Sequence, residues 1–316
     1  MGAVAEATVK RRGGRRPASA RLRSARHAVV PYLFVLPVVL FLGGLIVYPV
    51  VLNILMSFQD RTLDNLLSGP VKWVGTDNYR ASFDDPLFRD AAWHSIVYAA
   101  CSVAIQLVIA LGLALYYFRR FPGARVLRSL FLVTYAVPIV ISAQIFAWLL
   151  DGRGVVNWVL RSLHLQSEPA YWLADVKLAL PALIGVQVWL GIPFTMVNLL
   201  AGLTAIPHEL NEAAAIDGAT GVQRFRDVTW PLLRPTVLAA SILSLISAFK
   251  TFDLVWIATK GGPGSSTEVL PTLAYRVAFE QFLFGKGAAI LNLVFAVCFV
   301  LAAFYILTIR REERLA

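Results

Sequence analysis

Charged residues are scarce in this chain, at 15% of 316 residues, where an ordinary soluble domain has about 25%. The scarcity is concentrated in long stretches. Residues 28–59, 91–118, 129–150, 178–208 and 287–309 hold no Asp, Glu, Lys or Arg at all. Each is longer than the roughly 18–20 apolar residues that cross about 30 Å of hydrocarbon as a helix. A sixth run, 236–258, is interrupted only by Lys250 and Asp253. No period of two runs through these segments, which argues against a membrane β-barrel. The fold class expected is all-α, a polytopic membrane protein with six transmembrane helices. The spans fall at about 29–56, 93–118, 130–150, 179–202, 236–258 and 287–309.

The residues of common catalytic and metal sites are equally thin. The only two cysteines, Cys101 and Cys298, fall inside expected spans, so buried thiols and no disulfide are expected. His27, His94, His164 and His208 lie in four different segments, which argues against a metal site or a catalytic triad. A phosphate-cradling loop needs G-x-x-x-x-G-K-[ST], and the only Gly-Lys, Gly285-Lys286, lacks the first glycine and the hydroxyl residue. There is no H-E-x-x-H and no C-x-x-C. Asp84-Asp85 has no companion acid cluster, which weighs against a membrane glycosyltransferase. No catalytic residue and no bound metal are expected, and the chain reads as no enzyme by itself.

Basic residues are present, and they are unevenly placed. With the N-terminus inside, the inner segments 1–28, 119–129, 203–235 and 310–316 hold 18 Lys and Arg, and the outer segments hold nine. The positive-inside rule then puts both termini in the cytoplasm. Much of the net charge of +10 sits in "KRRGGRRPASARLRSAR". Because that run abuts a span, 1–28 reads as a disordered topogenic tail near anionic lipid, with no nucleic acid as partner. Residues 29–310 then form one transmembrane domain. Two outer loops carry local signals. Val155 to Leu163 reads as a short amphipathic piece, and a Gly-Gly-Pro-Gly turn precedes apolar Leu270, Leu273, Val277 and Ala278.

One inner segment, 203–235, is polar between two oily runs. Pro207 suits the first position of a helix, and Glu209 favours its positive end. Three alanines in "HELNEAAAIDGA" form helix readily and allow a partner close. Gly218 suits a left-handed cap, and a second short helix, Gln223 to Thr229, is expected to end before Pro231. From the residues alone this is a helix–turn–helix outside the bilayer.

The pattern says more. "EAAAIDGATGVQRFRDVTWP" resembles the EAA loop of bacterial ABC importer permeases: Glu212-Ala213-Ala214, Gly218, Val228 and Pro231 at the motif's spacing. Trp230 stands where that family usually has leucine. "WVGTDNYRASFDDPLF", "PLLRPT" and "FKTFDLVWIATKGGPGSSTEVL" extend the resemblance over about residues 30–310. They point to the carbohydrate-type, binding-protein-dependent branch that includes MalF-like and glycerol-3-phosphate permeases. The resemblance implies a bacterial inner-membrane subunit with no cofactor of its own. Its implied partners are a second homologous permease, a pair of ATPase subunits that bind ATP and Mg, and an extracytoplasmic solute-binding protein. It implies a coupling helix with Glu212 as polar anchor, Ala213 and Ala214 as packing surface, then Asp217, the Gly218 turn and Pro231. The solute expected is a sugar. A permease for glycerol-3-phosphate or another polar solute, or a self-sufficient secondary transporter, is the alternative.

A sugar site at mid-membrane would use aromatic faces and amides. Gln187, Trp189, Phe194 and Asn198 lie on the fourth span, whose "GIPF" suggests an interrupted helix. Gln144, Trp148 and Asn292 are further candidates for the pathway. Lys250 and Asp253, three apart on the fifth span, are expected to form an intramembrane ion pair.

Overall fold

The computed structural model describes residues 34–66, 69–119 and 122–313. The basic tail expected at 1–28 lies outside them. Two compact units divide the chain, residues 1–53 and 54–316. The described part of the first belongs to helix α1, Phe34–Ser57, whose most apolar stretch has a mean hydropathy of 2.6 and nothing buried. Apolar side chains on all sides suit a helix solvated by hydrocarbon.

The second unit opens on a two-stranded antiparallel ribbon, β1 (Gln59–Asp60) with β2 (Lys72–Trp73), pairing Gln59 with Trp73 and Asp60 with Lys72. Then come α2 (Asp77–Phe83), α3 (Pro86–Phe118), α4 (Ala124–Tyr135), α5 (Ile139–Leu149) and α6 (Val155–Ser162). After them follow α7 (Ala179–Thr204), α8 (His208–Ile216), α9 (Gly221–Phe249), α10 (Asp253–Ala258), α11 (Leu270–Tyr275) and α12 (Phe284–Glu313). Among the described residues, α1, α3, α7, α9 and α12 are each long and apolar enough to cross a membrane. The pair α4–α5 makes a sixth crossing if its two helices form one broken span.

Five expectations are corrected here. The third span, 130–150, is not one helix, because α4 and α5 meet at 97°. Pro138 is the N-cap of α5 at this corner, where a proline disfavours helix at the residue before it. On the fourth span the reverse holds: "GIPF" does not interrupt α7, which carries Pro193 inside an unbroken run. The fifth span differs at both ends. α9 begins at Gly221 in the polar loop and passes Pro231 and Pro235 without stopping. A π-helical stretch, Phe225–Thr229, lies just before Trp230 and shifts the ladder where Pro231 has no N–H to give. At its far end α9 stops at Phe249. The Thr251 hydroxyl takes the Ser247 carbonyl at 3.0 Å, and its N–H takes that of Ala248 at 3.2 Å. That tightened turn ends the helix, and Asp253 starts α10. Lys250 and Asp253 therefore sit on opposite sides of a break, and no ion pair joins them among the described residues. The thiols are free, as expected, but they are not buried: Cys101 is exposed and Cys298 half-buried.

The second unit is built around α3 and α7. On α3, Ala91, Ser95, Ala99, Ser102, Gln106, Ala110 and Ala114 are buried. They recur every three or four residues and so share a face. Small side chains let α7 approach closely, and in hydrocarbon such packing with interhelical hydrogen bonds holds helices together. α7 meets this face with Leu183, Val186, Met196, Leu199 and Leu203.

Two ion pairs tie one end of this unit. Glu268 is fully buried, with Arg276 Nη1 at 2.7 Å from its Oε2. Burial pushes its carboxyl up, and the Arg276 guanidinium pulls it back. A Cβ at Gly261, whose φ is +80°, would stand 2.5 Å from Glu268 Oε2, so glycine is required on both counts. Lys286 Nζ donates to Asp85 Oδ2 at 2.8 Å, and Asp85 Oδ1 caps α3 by accepting the Leu87 N–H at 3.0 Å. The Lys286 bond holds the Asp85 carboxyl below the usual carboxylate range. A depressed carboxyl contributes stability that is present above its unfolded value and lost as pH falls through its folded value. Asp85→Asn keeps a good cap and loses the ion pair. It is expected to lower stability at pH 7 by at most about 1 kcal/mol, because the pair is partly solvated. In thermal melts of the detergent-solubilised chain that difference should begin to shrink below about pH 4 and vanish only below the depressed folded value. A difference that persists in acid would refute the ion-pair account.

Candidate functional site

Where α4 and α5 part, the unit holds a cavity of about 520 Å³, within the 300–1,000 Å³ range of small-molecule sites. It is lined by residues of α3, α7 and α9 and by Tyr135, Val137 and Ile139 at the corner. Gln187, Gly191 and Phe194 lie about 12 to 23 Å along α7 from Ala179, at 1.5 Å per residue. In about 30 Å of hydrocarbon that is mid-depth.

Two buried amides face this cavity with opposite polarity. Gln187 Oε1 accepts the Tyr98 hydroxyl at 3.0 Å, and its Nε2 is left without a protein partner among the described residues. Gln106 is reversed. Its Nε2 donates to the hydroxyls of Thr195 and, at 3.1 Å, Ser244, so Oε1 is left to accept. Gln106 can lie there only because residue 191 is glycine; a Cβ would come within 2.0 Å of Gln106 Oε1. The hydroxyls of Ser244 and Ser247 add groups that both donate and accept, and those of Thr134 and Thr251, which donate to the Phe131 and Ser247 carbonyls, add acceptors. Lys250, released by the helix break, contributes an ammonium with no ion pair among the described residues. A constellation of amides, hydroxyls and one cation, flanked by Tyr135 and Phe194, suits a polar solute rich in hydroxyls.

Of the seven sequence-based pathway candidates, the cavity gathers two, Gln187 and Phe194. The other five lie elsewhere. Trp189 packs edge-on against Phe146, with centroids 5.1 Å apart. The Asn198 amide donates back to the Phe194 carbonyl at 2.8 Å. Gln144 and Trp148 are exposed on α5, and the Asn292 amide donates to the Tyr79 hydroxyl at 3.2 Å. Lys250 is a cavity residue, not half of an ion pair. Sequence reading missed Gln106, Ser244, Ser247 and Thr251. The available signal for Gln106 was an amide alone inside a long charge-free run.

The second feature is α8. None of its nine residues is buried, Glu212, Ala213 and Ala214 included. Asp217 is its C-cap, and Gly218 follows with φ +81°. The Ala219 N–H reaches the Ala214 carbonyl at 2.9 Å and the Gly218 N–H that of Ala215 at 3.1 Å. That bond pair is a Schellman turn, which calls for a left-handed residue at Gly218. Thr220 then opens α9 through reciprocal bonds with Gln223. Pro231 lies in the first turn of the helical stretch that follows the π turn. At the start of α8, His208 stacks on Phe118 with centroids 6.2 Å apart, anchoring it to the end of α3. An apolar Ile216, 86% exposed, completes a fixed but uncovered surface.

Comparison with known proteins accords with this arrangement. The diacetylchitobiose uptake system permease protein DasB of Streptomyces coelicolor is 34% identical, over 95% of this chain and 93% of its own. The sulfoquinovosyl glycerol transport system permease protein SmoG of Agrobacterium fabrum is 34% identical, over 89% and 90%. The trehalose/maltose transport system permease protein MalF of Thermococcus litoralis is 32% identical, over 91% and 96%. In fold, the chain is similar to a crystal structure of a bacterial ABC transporter involved in the import of the acidic polysaccharide alginate. That likeness has a TM-score of 0.75 at 19% identity, over 94% of this chain and 99% of the other. Residues 106–313, from Gln106 at the cavity through α8 to the last span, match the binding-protein-dependent transport system inner membrane component family, and the chain belongs to it.

Proposed function

We propose that this chain is the membrane-spanning permease subunit of an ABC importer that carries a sugar, mono- or oligosaccharide, into a bacterial cytoplasm. The carrying observation is the mid-depth cavity, where Gln187 offers a donor and Gln106 an acceptor. Ring hydroxyls both donate and accept, so they match that pair. Relatives named for chitobiose, trehalose or maltose, and sulfoquinovosyl glycerol support a saccharide. The protein sits in the inner membrane with both termini inside, as the excess of basic residues in alternate loops suggests.

In this reading α8 is the coupling helix. It seats in a cleft of an ATPase subunit, with Glu212 as polar anchor and Ala213–Ala214 against the partner. Its rigid capping passes ATPase closure to α9, which begins four residues after Asp217 and lines the cavity with Ser244 and Ser247. The cavity thereby opens alternately to each side. ATP and Mg stay on the ATPase pair, a second permease completes the pathway, and a solute-binding protein delivers the sugar at the other end.

The test is uptake into vesicles holding the whole complex. Uptake should require ATP on the ATPase side. Gln187→Ala should raise the KM for the sugar about tenfold, the cost of one unmet buried hydrogen bond, and Gln144→Ala should leave it unchanged. Uptake driven by a proton gradient without ATP would overturn the proposal.

A further inference from the structure

α6 and its flanking loops are not accounted for by transport. Three observations place and characterise them. First, α6 starts hard against the end of α5: a Cβ at Gly154 would come within 2.4 Å of the Leu149 carbonyl and 2.5 Å of the Trp148 carbonyl. α5 begins at the cavity, since Ile139 lines it, and its 11 residues rise about 16 Å, half of about 30 Å of hydrocarbon. A helix of that length along the membrane normal carries α6 to the hydrocarbon edge.

Second, the segment is rigid. Asn157 is buried, and its Nδ2 donates to the carbonyls of Asp151 at 3.0 Å and Ala170 at 2.8 Å. Its Oδ1 accepts the Ala170 N–H and the Trp172 indole N–H, both at 3.1 Å. One side chain thus ties together both loops that flank α6.

Third, the face turned outward is apolar with cations beside it. Val155, Trp158 and Leu163 are exposed along α6, and Tyr171 is exposed nearby. Next to them an open pocket of about 920 Å³ is lined by Arg153, Arg161, Trp158 and Tyr171. Neither arginine has an ion pair among the described residues. Asp151, also at the pocket, is engaged locally, its Oδ1 accepting the Arg153 N–H at 2.9 Å.

We propose that α6 and its loops form an interfacial phospholipid site, with the phosphate held between Arg153 and Arg161 and the acyl chains against the apolar face. A guanidinium fork matches phosphate oxygens. An amphipathic helix with tryptophan on one face and arginine at its border suits the headgroup boundary. An anionic glycerophospholipid satisfies both the charge and the apolar surface, where a soluble anion satisfies only the charge. The inference is independent of which solute is carried.

The purified full chain in phosphatidylcholine nanodiscs provides the test. Phosphatidylglycerol should bind in preference to diacylglycerol, which has the same chains and no phosphate. Arg153→Gln with Arg161→Gln should weaken that binding about thirtyfold, near fivefold for each basic contact. Lipid brominated near the top of its acyl chains should quench fluorescence that Trp158→Phe removes. Inorganic phosphate displacing the lipid at millimolar concentration would make this an anion site and overturn the proposal. Trp158 left unquenched by lipid and shielded only by added solute-binding protein would make the face a protein dock and overturn it equally.

Discussion

Gly191→Ala is expected to abolish uptake and to lower the thermal stability of the chain, although it adds one methyl group to a helix that alanine ordinarily favours. The added Cβ would stand 2.0 Å from Gln106 Oε1, 2.3 Å from its Cδ and 2.7 Å from its Nε2. Gln106 lines the cavity, so its amide can turn aside there only by breaking its bonds to Thr195 and Ser244; if it stays, α3 must part from α7. Overpacking costs about 1–3 kcal/mol and two lost hydrogen bonds about 1 kcal/mol each. Either route therefore costs about 1–3 kcal/mol, a sizeable share of an ordinary domain's stability. Gly185→Ala is the matched comparison, because it lies on the same helix with nothing within 4 Å of its added Cβ. It should melt and transport as wild type. Truncating the obstacle supplies a second check: Gly191→Ala with Gln106→Ala should recover stability relative to Gly191→Ala alone, since the two residues are in contact and their effects cannot add. Gly191→Ala behaving like Gly185→Ala would remove Gln106 from its assigned place.

The contrast between these two glycines shows where sequence reading stops. Both sit in the same charge-free run, and although Gly191 opens "GIPF", that motif gives no sign of the amide that arrives from α3. Features dictated by neighbours in the chain were legible. The oily runs announced helices, Val155 to Leu163 announced α6, and the alanine-rich stretch before Gly218 announced an exposed, capped α8. Features dictated by contacts between helices were not. Lys250 and Asp253 look like successive residues of one helix because no glycine or proline separates them. The helix stops in a tightened turn at Lys250 and Thr251, and Lys250 lines the cavity. Pro231 looks like a stop, yet the π turn ahead of it carries α9 through. In "GIPF" the glycine serves a neighbour's amide and the helix continues past the proline. Trp189 and Trp148 were attractive as sugar platforms by type, but their faces on α7 and α5 point them elsewhere.

Gly218→Val is expected to fail in the opposite manner, leaving the membrane part intact while disconnecting it from its energy source. Nothing lies within 4 Å of a Cβ at Gly218, so no clash arises; the obstacle is its φ of +81°. A β-branched residue in that left-handed conformation is strained by about 1–2 kcal/mol. The Schellman bonds from Gly218 and Ala219 to α8 should therefore open, freeing the last turn that carries Ala214 and Ile216. Because no residue of α8 is buried, melting of the purified chain should shift little. In vesicles holding the whole complex, uptake should fall at least tenfold, since about 1.4 kcal/mol corresponds to a factor of ten. Co-purified ATPase, or its stimulation by loaded binding protein, should fall with it. Gly218→Asn should stay close to wild type, because asparagine tolerates the left-handed region. Glu212→Lys should reproduce the valine phenotype by charge reversal at the docking cleft, with no effect on the turn. Normal ATPase recruitment and uptake in both the Gly218→Val and the Glu212→Lys proteins would reduce α8 to a solvated hairpin and leave coupling to be sought elsewhere on the chain.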